Sequence, residues 1–312
     1  MLVPSAVFVA SGCVKVNPHS EADVPRRQRG IEVSVPWVAF HGRADQIGDL
    51  AKVASTFRLI AVDADPDGRG MSRADLATLR AGGRNIVLGF LNIGFCDRGQ
   101  SIWLSAPDGL LPCFADPVAH IGKRDGRPNQ MWMDPANEEY QRLIVEYVAP
   151  RLRDAGVDGF MLDGLDLLDH GPDDDAPCDG DCVGGGLMLL ARLRRRFPDM
   201  IFLMQGGISR TIREARIGTV PVTSLLDGIS AEETYAPSYD AEKEADLLAW
   251  KALGLSVNGH PFMIGTQDYV DGCDNTTTAR AAYQASRSHQ FSPAIGPSPV
   301  SRPRVCYWNF GP

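Results

Sequence analysis

The sequence is poor in the groups that build metal centres. Histidine occurs six times in 312 residues, at positions 19, 41, 120, 170, 260 and 289. None of them forms an H-E-x-x-H or a comparable cluster with carboxylates, which argues against a metal-dependent hydrolase or deacetylase. No G-x-G-x-x-G follows the first apolar run, so a dinucleotide fold lacks its phosphate-binding turn. No apolar run approaches the roughly 18 residues of a membrane-spanning helix. Basic side chains are outnumbered, with 31 Lys and Arg against 39 Asp and Glu and a formal charge of −8. The pI is about 5.3. Phosphate binding needs clustered cations, so nucleic acid is not an expected partner. A neutral or cationic substrate suits this surface, and no cofactor is called for.

What is present is an ordinary globular composition, 44 % hydrophobic and 22 % charged, in a length that suits one α/β barrel domain. The N-terminus carries a short apolar run, residues 2–10, ending Ala10-Ser11-Gly12-Cys13. Small residues before a cysteine resemble a lipoprotein cleavage box. No Lys or Arg precedes the run, so residues 1–13 read as a truncated signal, with Cys13 as the only expected tie to a membrane. Residues 14–35, with Pro18, Pro25 and Arg26-Arg27-Gln28-Arg29-Gly30, read as a linker. Export would place the other six cysteines in an oxidising compartment. The expected pairs are Cys96–Cys113, Cys178–Cys182 and Cys273–Cys306. Their spacing matches no zinc site.

From residue 36 onward short apolar runs alternate with helical stretches. Eight runs stand out, at 36–41, 59–65, 86–94, 159–163, 201–205, 227–232, 261–269 and 292–295. Ser72 is a natural helix cap, and Asp134-Pro135 reads as a cap followed by a first-turn proline. Tyr140, Leu143, Ile144 and Tyr147 share one helical face. Pro150 is expected to kink or end that helix. Another helix is expected near 240–253, and Asp274 or Asn275 would cap the last. Strand–helix alternation implies a parallel sheet with right-handed crossovers. Eight units imply a (β/α)8 TIM barrel, a single domain over residues 36–312, with the eighth helix short or absent.

Active sites of such barrels lie at the C-terminal strand ends. The fourth run reads Asp158-Gly159-Phe160-Met161-Leu162-Asp163 and the sixth reads Asp227-Gly228-Ile229-Ser230-Ala231-Glu232. Alternation turns Met161 and Asp163 inward on one strand, and Gly228, Ser230 and Glu232 inward on the other. Strands two, four and six can fill one layer, so Asp63 and Asp65 of the second run join it. Two carboxylates in different environments are what glycosidic cleavage needs: one ionised, one holding a proton. Trp103, Trp132, Tyr235 and Tyr269 are candidate sugar-stacking rings. Asn92, Gln205 and Gln267 at strand ends are candidate partners for hydroxyls, with Asp134 and Asp166 completing the polar set. The acidic loop 173–181 lacks EF-hand spacing and reads as a solvated or disulfide-tied loop.

The order of Phe90-Leu91-Asn92-Ile93-Gly94, Trp132-Met133-Asp134 and the two Asp-Gly-x-x-x-acid strands resembles glycoside hydrolase family 114, described as endo-α-1,4-polygalactosaminidase-like. The resemblance spans roughly residues 36–300. It implies a TIM barrel with Asp163 as nucleophile and Glu232 as general acid/base. The implied reaction is retaining, endo-acting hydrolysis of α-1,4-linked galactosamine polymers, placing the protein at the cell surface or outside it, on exopolysaccharide. One departure is Phe95, where family members often carry Glu. Two other readings fit the barrel: a non-catalytic carbohydrate-binding protein, and an α-glycosidase of different sugar specificity.

Overall fold

The computed structural model describes residues 30–31, 35–65, 70–115, 117–123, 127–168, 181–257, 259–297 and 304–310. Cys13, most of the expected linker and the loop around Cys178 lie outside them. Eight strands form one sheet in chain order. They are β1 (Trp37–Phe40), β2 (Leu59–Val62), β3 (Ile86–Asn92), β4 (Gly159–Asp163), β5 (Ile201–Gln205), β6 (Gly228–Glu232), β7 (Met263–Val270) and β8 (Ser292–Pro297). Every neighbouring pair is parallel. The seam between β8 and β1 is bridged by the Trp37 indole, which donates to the Ser292 carbonyl at 2.7 Å. The fold is a (β/α)8 TIM barrel, and each expected strand is present: the first three and the sixth are shorter than expected, the fourth and fifth match, the seventh is shifted toward its C-terminal end and the eighth runs two residues further.

Side-chain alternation sorts the apolar residues into two cores. Trp37, Leu59, Ala61, Leu88, Met161, Leu203, Met263 and Ala294 fill the barrel interior. Ile31, at the end of the stretch read as linker, joins them and is 1 % exposed, so packing begins before β1. The opposite parity faces the helices: Phe160, Leu162, Phe202, Met204, Ile229 and Ile264 meet helical residues such as Leu79, Leu152, Leu190 and Trp250.

Helices follow the strands: α1 (Leu50–Thr56), α2 (Arg73–Arg80), α3 (Glu138–Leu143, continuing to Ala155), α4 (Cys182–Arg196), α5 (Arg210–Glu214), α6 (Ala241–Ala252) and α7 (Thr276–Ser288). Ser72 caps α2 in a reciprocal box with Asp75. Asp240 and Asn275 cap α6 and α7. Two expectations shift. The cap of α3 is Asn137, which accepts from Tyr140 N, while Asp134 closes the preceding turn by accepting from Ala136 N. Pro150 does not end the helix. A π-helical turn, Ile144–Val148, leads into Ala149–Ala155, and Pro150 falls in the first turn of that last segment. The irregularity expected of Pro150 thus falls in the turn just before it.

Between β3 and α3 the chain makes an excursion with a small antiparallel sheet of Phe95–Asp97, Gln130–Met133 and His120–Lys123. Cys96–Cys113 ties this excursion, and Cys273–Cys306 ties the C-terminal segment to the end of β7. Cys182 is also disulfide-bonded. No helix among the described residues after β8 follows the last strand, and none described is long and apolar enough to cross a membrane.

Candidate active site

The two Asp-Gly-x-x-x-acid strands explain themselves from the bottom upward. Asp158 accepts the N–H of Val87 at 3.0 Å and is held through both oxygens by Arg80. Asp227 accepts the N–H of Phe202 at 2.8 Å and is held by Arg194 at 2.8 Å. Each Asp therefore pins the start of its strand to the start of the strand before it. The glycines that follow are demanded by close strand contact. A Cβ on Gly159 would lie 2.2 Å from the Ile201 carbonyl oxygen, and one on Gly228 would lie 2.7 Å from Met263 Cβ.

At the top, register decides what meets. Met161 pairs with Leu203, and Leu203 with Gly228. In a barrel of shear about eight, equal height climbs about one residue per strand, so Met161 shares its level with Ser230. One step up, the same offset puts Asp163 level with Glu232. Applied to the other even strands, it adds Asp63 from β2 and Gly296 from β8. The top layer thus holds three acids and a glycine. A Cβ on Gly296 would meet open space, so the layer is unfilled over β8.

The odd strands line the gap. Tyr269 donates its hydroxyl proton to Glu232 Oε1 and accepts from Gln267 Nε2 at 2.6 Å. The same amide nitrogen lies 3.1 Å from His41 Nε2. His41 stacks on Phe90 with ring centroids 4.1 Å apart. Burial lowers the His41 pKa, and the negative charge of Asp163 opposes that only in part. The imidazole is therefore neutral at pH 7 and can accept from the amide. The Tyr269 phenol is pushed up, first by burial, then by Glu232 and next by Asp163. Both candidate catalytic carboxylates thus act on one hydroxyl. Lys243 donates to the Glu232 backbone carbonyl at 3.0 Å, which sets a cation behind the acid.

Among the other expected site residues, Asn92 ends β3 in register with Asp163, whose Oδ1 accepts from Gly164 N at 2.7 Å. Gln205, buried at the end of β5, accepts from the Ser230 hydroxyl, and its Nε2 is buried without a partner. Asp63 accepts from Asp65 N at 3.0 Å, and burial raises its pKa. Tyr235 is half-buried beside the exposed ring of Tyr239, nearly parallel to it. Asp268 fixes this loop by accepting from the N–H groups of Tyr235 and Ala236.

Several expectations are corrected. Trp103 and Trp132 are each 2 % exposed, so neither offers a ring face to a sugar. Trp103 packs in the main core with its indole on Gln100, and Trp132 packs edge-on against Phe95. Phe95 completes a small apolar cluster there with Leu167. Asp65 is taken up by Arg151 and Ser101 instead of the mouth. Asp134 serves its turn. Tyr269 acts through its hydroxyl and not its ring face, and Gln267 gives its donors to Tyr269 and His41. Asp166 lies in the short helix Leu165–Leu168, and its side chain is outside the described residues. Sequence reasoning missed His41, Lys243 and Tyr239, and turned Ser230 inward without assigning it to the site. His41 was findable, since Trp37, Ala39 and His41 share the inward parity of β1. Among the described residues no group of three His, Cys, Asp or Glu side chains is placed to hold a metal.

No protein-family model and no curated protein matches the chain. Solved structures do match its shape. The glycoside hydrolase domain of PelA from Pseudomonas aeruginosa superposes with a TM-score of 0.61 at 17 % identity, over 86 % of this chain and 98 % of that one. Ega3 from Aspergillus fumigatus, solved in complex with galactosamine, superposes with a TM-score of 0.64 at 15 % identity. That match covers 88 % of this chain and 96 % of Ega3. At such identities the likeness establishes a shared fold.

Proposed function

We propose that the protein is a glycoside hydrolase of the family 114 kind, cleaving α-1,4-linked galactosamine-containing polysaccharide within the chain and with retention. The observation that carries this is the layer uniting Asp163 and Glu232 at the ends of β4 and β6, beside an unfilled gap. In a retaining reaction Asp163 attacks the anomeric carbon while Glu232 gives its proton to the leaving oxygen. Glu232 then takes a proton from the water that releases the sugar from Asp163. Retention calls for carboxyl groups about 5–5.5 Å apart, against about 6.5–9.5 Å for inversion. The substrate class is supported by two neighbours of the same fold, one a glycoside hydrolase domain and one solved with galactosamine. A partly deacetylated galactosamine polymer is cationic, which suits the charge of −8. Asp63, Asn92, Gln205 and Tyr235 are the remaining candidates for sugar contacts. Disulfides persist in oxidising compartments, which favours work outside the cytoplasm, with the protein released or anchored through Cys13.

The test is incubation of the purified protein with galactosamine-containing exopolysaccharide beside an Asp163→Asn control, with products read by mass spectrometry. Oligosaccharides from the unmutated protein alone are expected. Polymer binding without products would favour a carbohydrate-binding barrel, and neither binding nor products would point to another sugar.

A further inference from the structure

The hydrogen bonds that link His41, Gln267 and Tyr269 to Glu232 run in one direction. Gln267 Nε2 has two protons, and its two contacts are the Tyr269 oxygen and His41 Nε2. Its carbonyl oxygen, Oε1, is buried without a partner. The consequence of this orientation falls on Tyr269. A hydroxyl whose oxygen already accepts from Gln267 turns its single proton elsewhere, and here that proton goes to Glu232 Oε1. Neutral His41 completes the arrangement by accepting the second amide proton, and its stack on Phe90 keeps the ring in place.

Resting on the hydrolase reading above, we infer that Tyr269 is a positioning residue for Glu232, aimed by Gln267 and neutral His41 so that the acid/base carboxylate always receives a hydrogen bond. A donor to the ionised form of a carboxylate lowers its affinity for protons. Nearby negative charge raises that affinity. Among the described residues, charged and titratable groups set around Glu232 include Asp163 at the end of β4, Asp63 just after β2, His41 just after β1, Tyr269 from β7, Lys243 from α6 and the neighbouring Glu233. Tyr269 thus works against burial and against Asp163. It keeps Glu232 able to release its proton in the first step and to take one back in the second. Protonation of His41 would undo the chain. An imidazolium Nε2 cannot accept, so the amide would turn Oε1 toward it. Tyr269 would then donate to Gln267 in place of Glu232.

The experiment is a carbon-13 NMR titration of protein labelled at Glu side-chain carboxyls, with the Glu232 resonance assigned by its loss in Glu232→Gln. Tyr269→Phe should raise the Glu232 titration midpoint by about one pH unit. Gln267→Leu, which keeps the phenol, should move it the same way by less. The high-pH limb of kcat/KM on galactosamine polymer should move up with it. A Glu232 midpoint unchanged in both variants would overturn the inference, even if turnover fell. Should Tyr269→Phe lose its near-ultraviolet circular dichroism, Gln267→Leu decides alone. Absence of turnover in the unmutated protein would count against the hydrolase reading and leave the titration to judge Tyr269.

Discussion

Strands β4 and β6 carry acids at both ends, and the two ends have different work. Asp158 and Asp227 sit at the bottom, each joined to an Arg and to a backbone N–H of the preceding strand. Asp163 and Glu232 sit at the top, in a layer left open over Gly296. The bottom acids hold strands together and the top acids face a gap, which is the division of labour expected between the two faces of a TIM barrel. Within the bottom pair there is a further contrast. The Arg194 side chain is 1 % exposed and Asp227 is fully buried, whereas the Arg80 side chain beside Asp158 is 40 % exposed.

The largest test of the comparison is at the top. Asp163→Asn and Glu232→Gln should each reduce turnover by on the order of 10⁴-fold or more, because an amide neither attacks the anomeric carbon nor exchanges the proton. Chemical denaturation midpoints should stay near that of the unmutated protein. A large loss of stability in either variant would mean that the top acids are structural as well.

At the bottom the expectation reverses. Asp227→Ala strands a buried guanidinium that also donates to the Leu225 and Met200 carbonyls and lies over the Phe202 ring. Leaving one charge of a buried pair uncompensated costs about 3–5 kcal/mol. Asp158→Ala should cost less, about 1–2 kcal/mol, since Arg80 can turn to water and the main loss is the partner of Val87 N–H. Urea unfolding of the two variants side by side gives the ranking. Equal losses would mean that burial of the Arg is not what separates them.

The same comparison shows how far sequence reading reaches. A strand that alternates apolar and polar residues and ends in an acid declares which way that acid points. This is why the inward placement of Met161, Asp163, Ser230 and Glu232 was legible. The lower acids belong to the same six-residue pattern, yet their partners Arg80 and Arg194 lie on helices far along the chain, so nothing local marks them as structural. Aromatic residues failed for a related reason. Trp103 and Trp132 stand in the excursion after β3, where burial is set by the main core around Trp103, by Phe95 and Leu167 around Trp132, and by the Cys96–Cys113 tie, not by periodicity. Cap chemistry was readable at Ser72 and, with Asp274 as the alternative, at Asn275, and misplaced by three residues at α3, because Asp134 and Asn137 are both competent caps.

The smallest effect concerns His41, a neutral base beside the top layer, and it sharpens the contrast by pH. Its pKa is lowered in the folded protein, mainly by burial. Below the unfolded histidine value of about 6.5 the unfolded chain binds a proton that the folded protein refuses. His41 therefore contributes stability that is fully present above that value and is lost as pH falls toward the folded pKa. The unmutated protein should lose stability on acidification from neutral pH more steeply than His41→Gln, whose amide oxygen can still accept from Gln267 and does not titrate. Urea midpoints measured at several pH values between 7.5 and 5 give the two slopes, and the difference should not exceed the effect of one proton. Identical slopes would mean that folded His41 takes its proton as readily as the unfolded chain does, and the neutral acceptor at the end of the Gln267 amide would be lost from the description of the site.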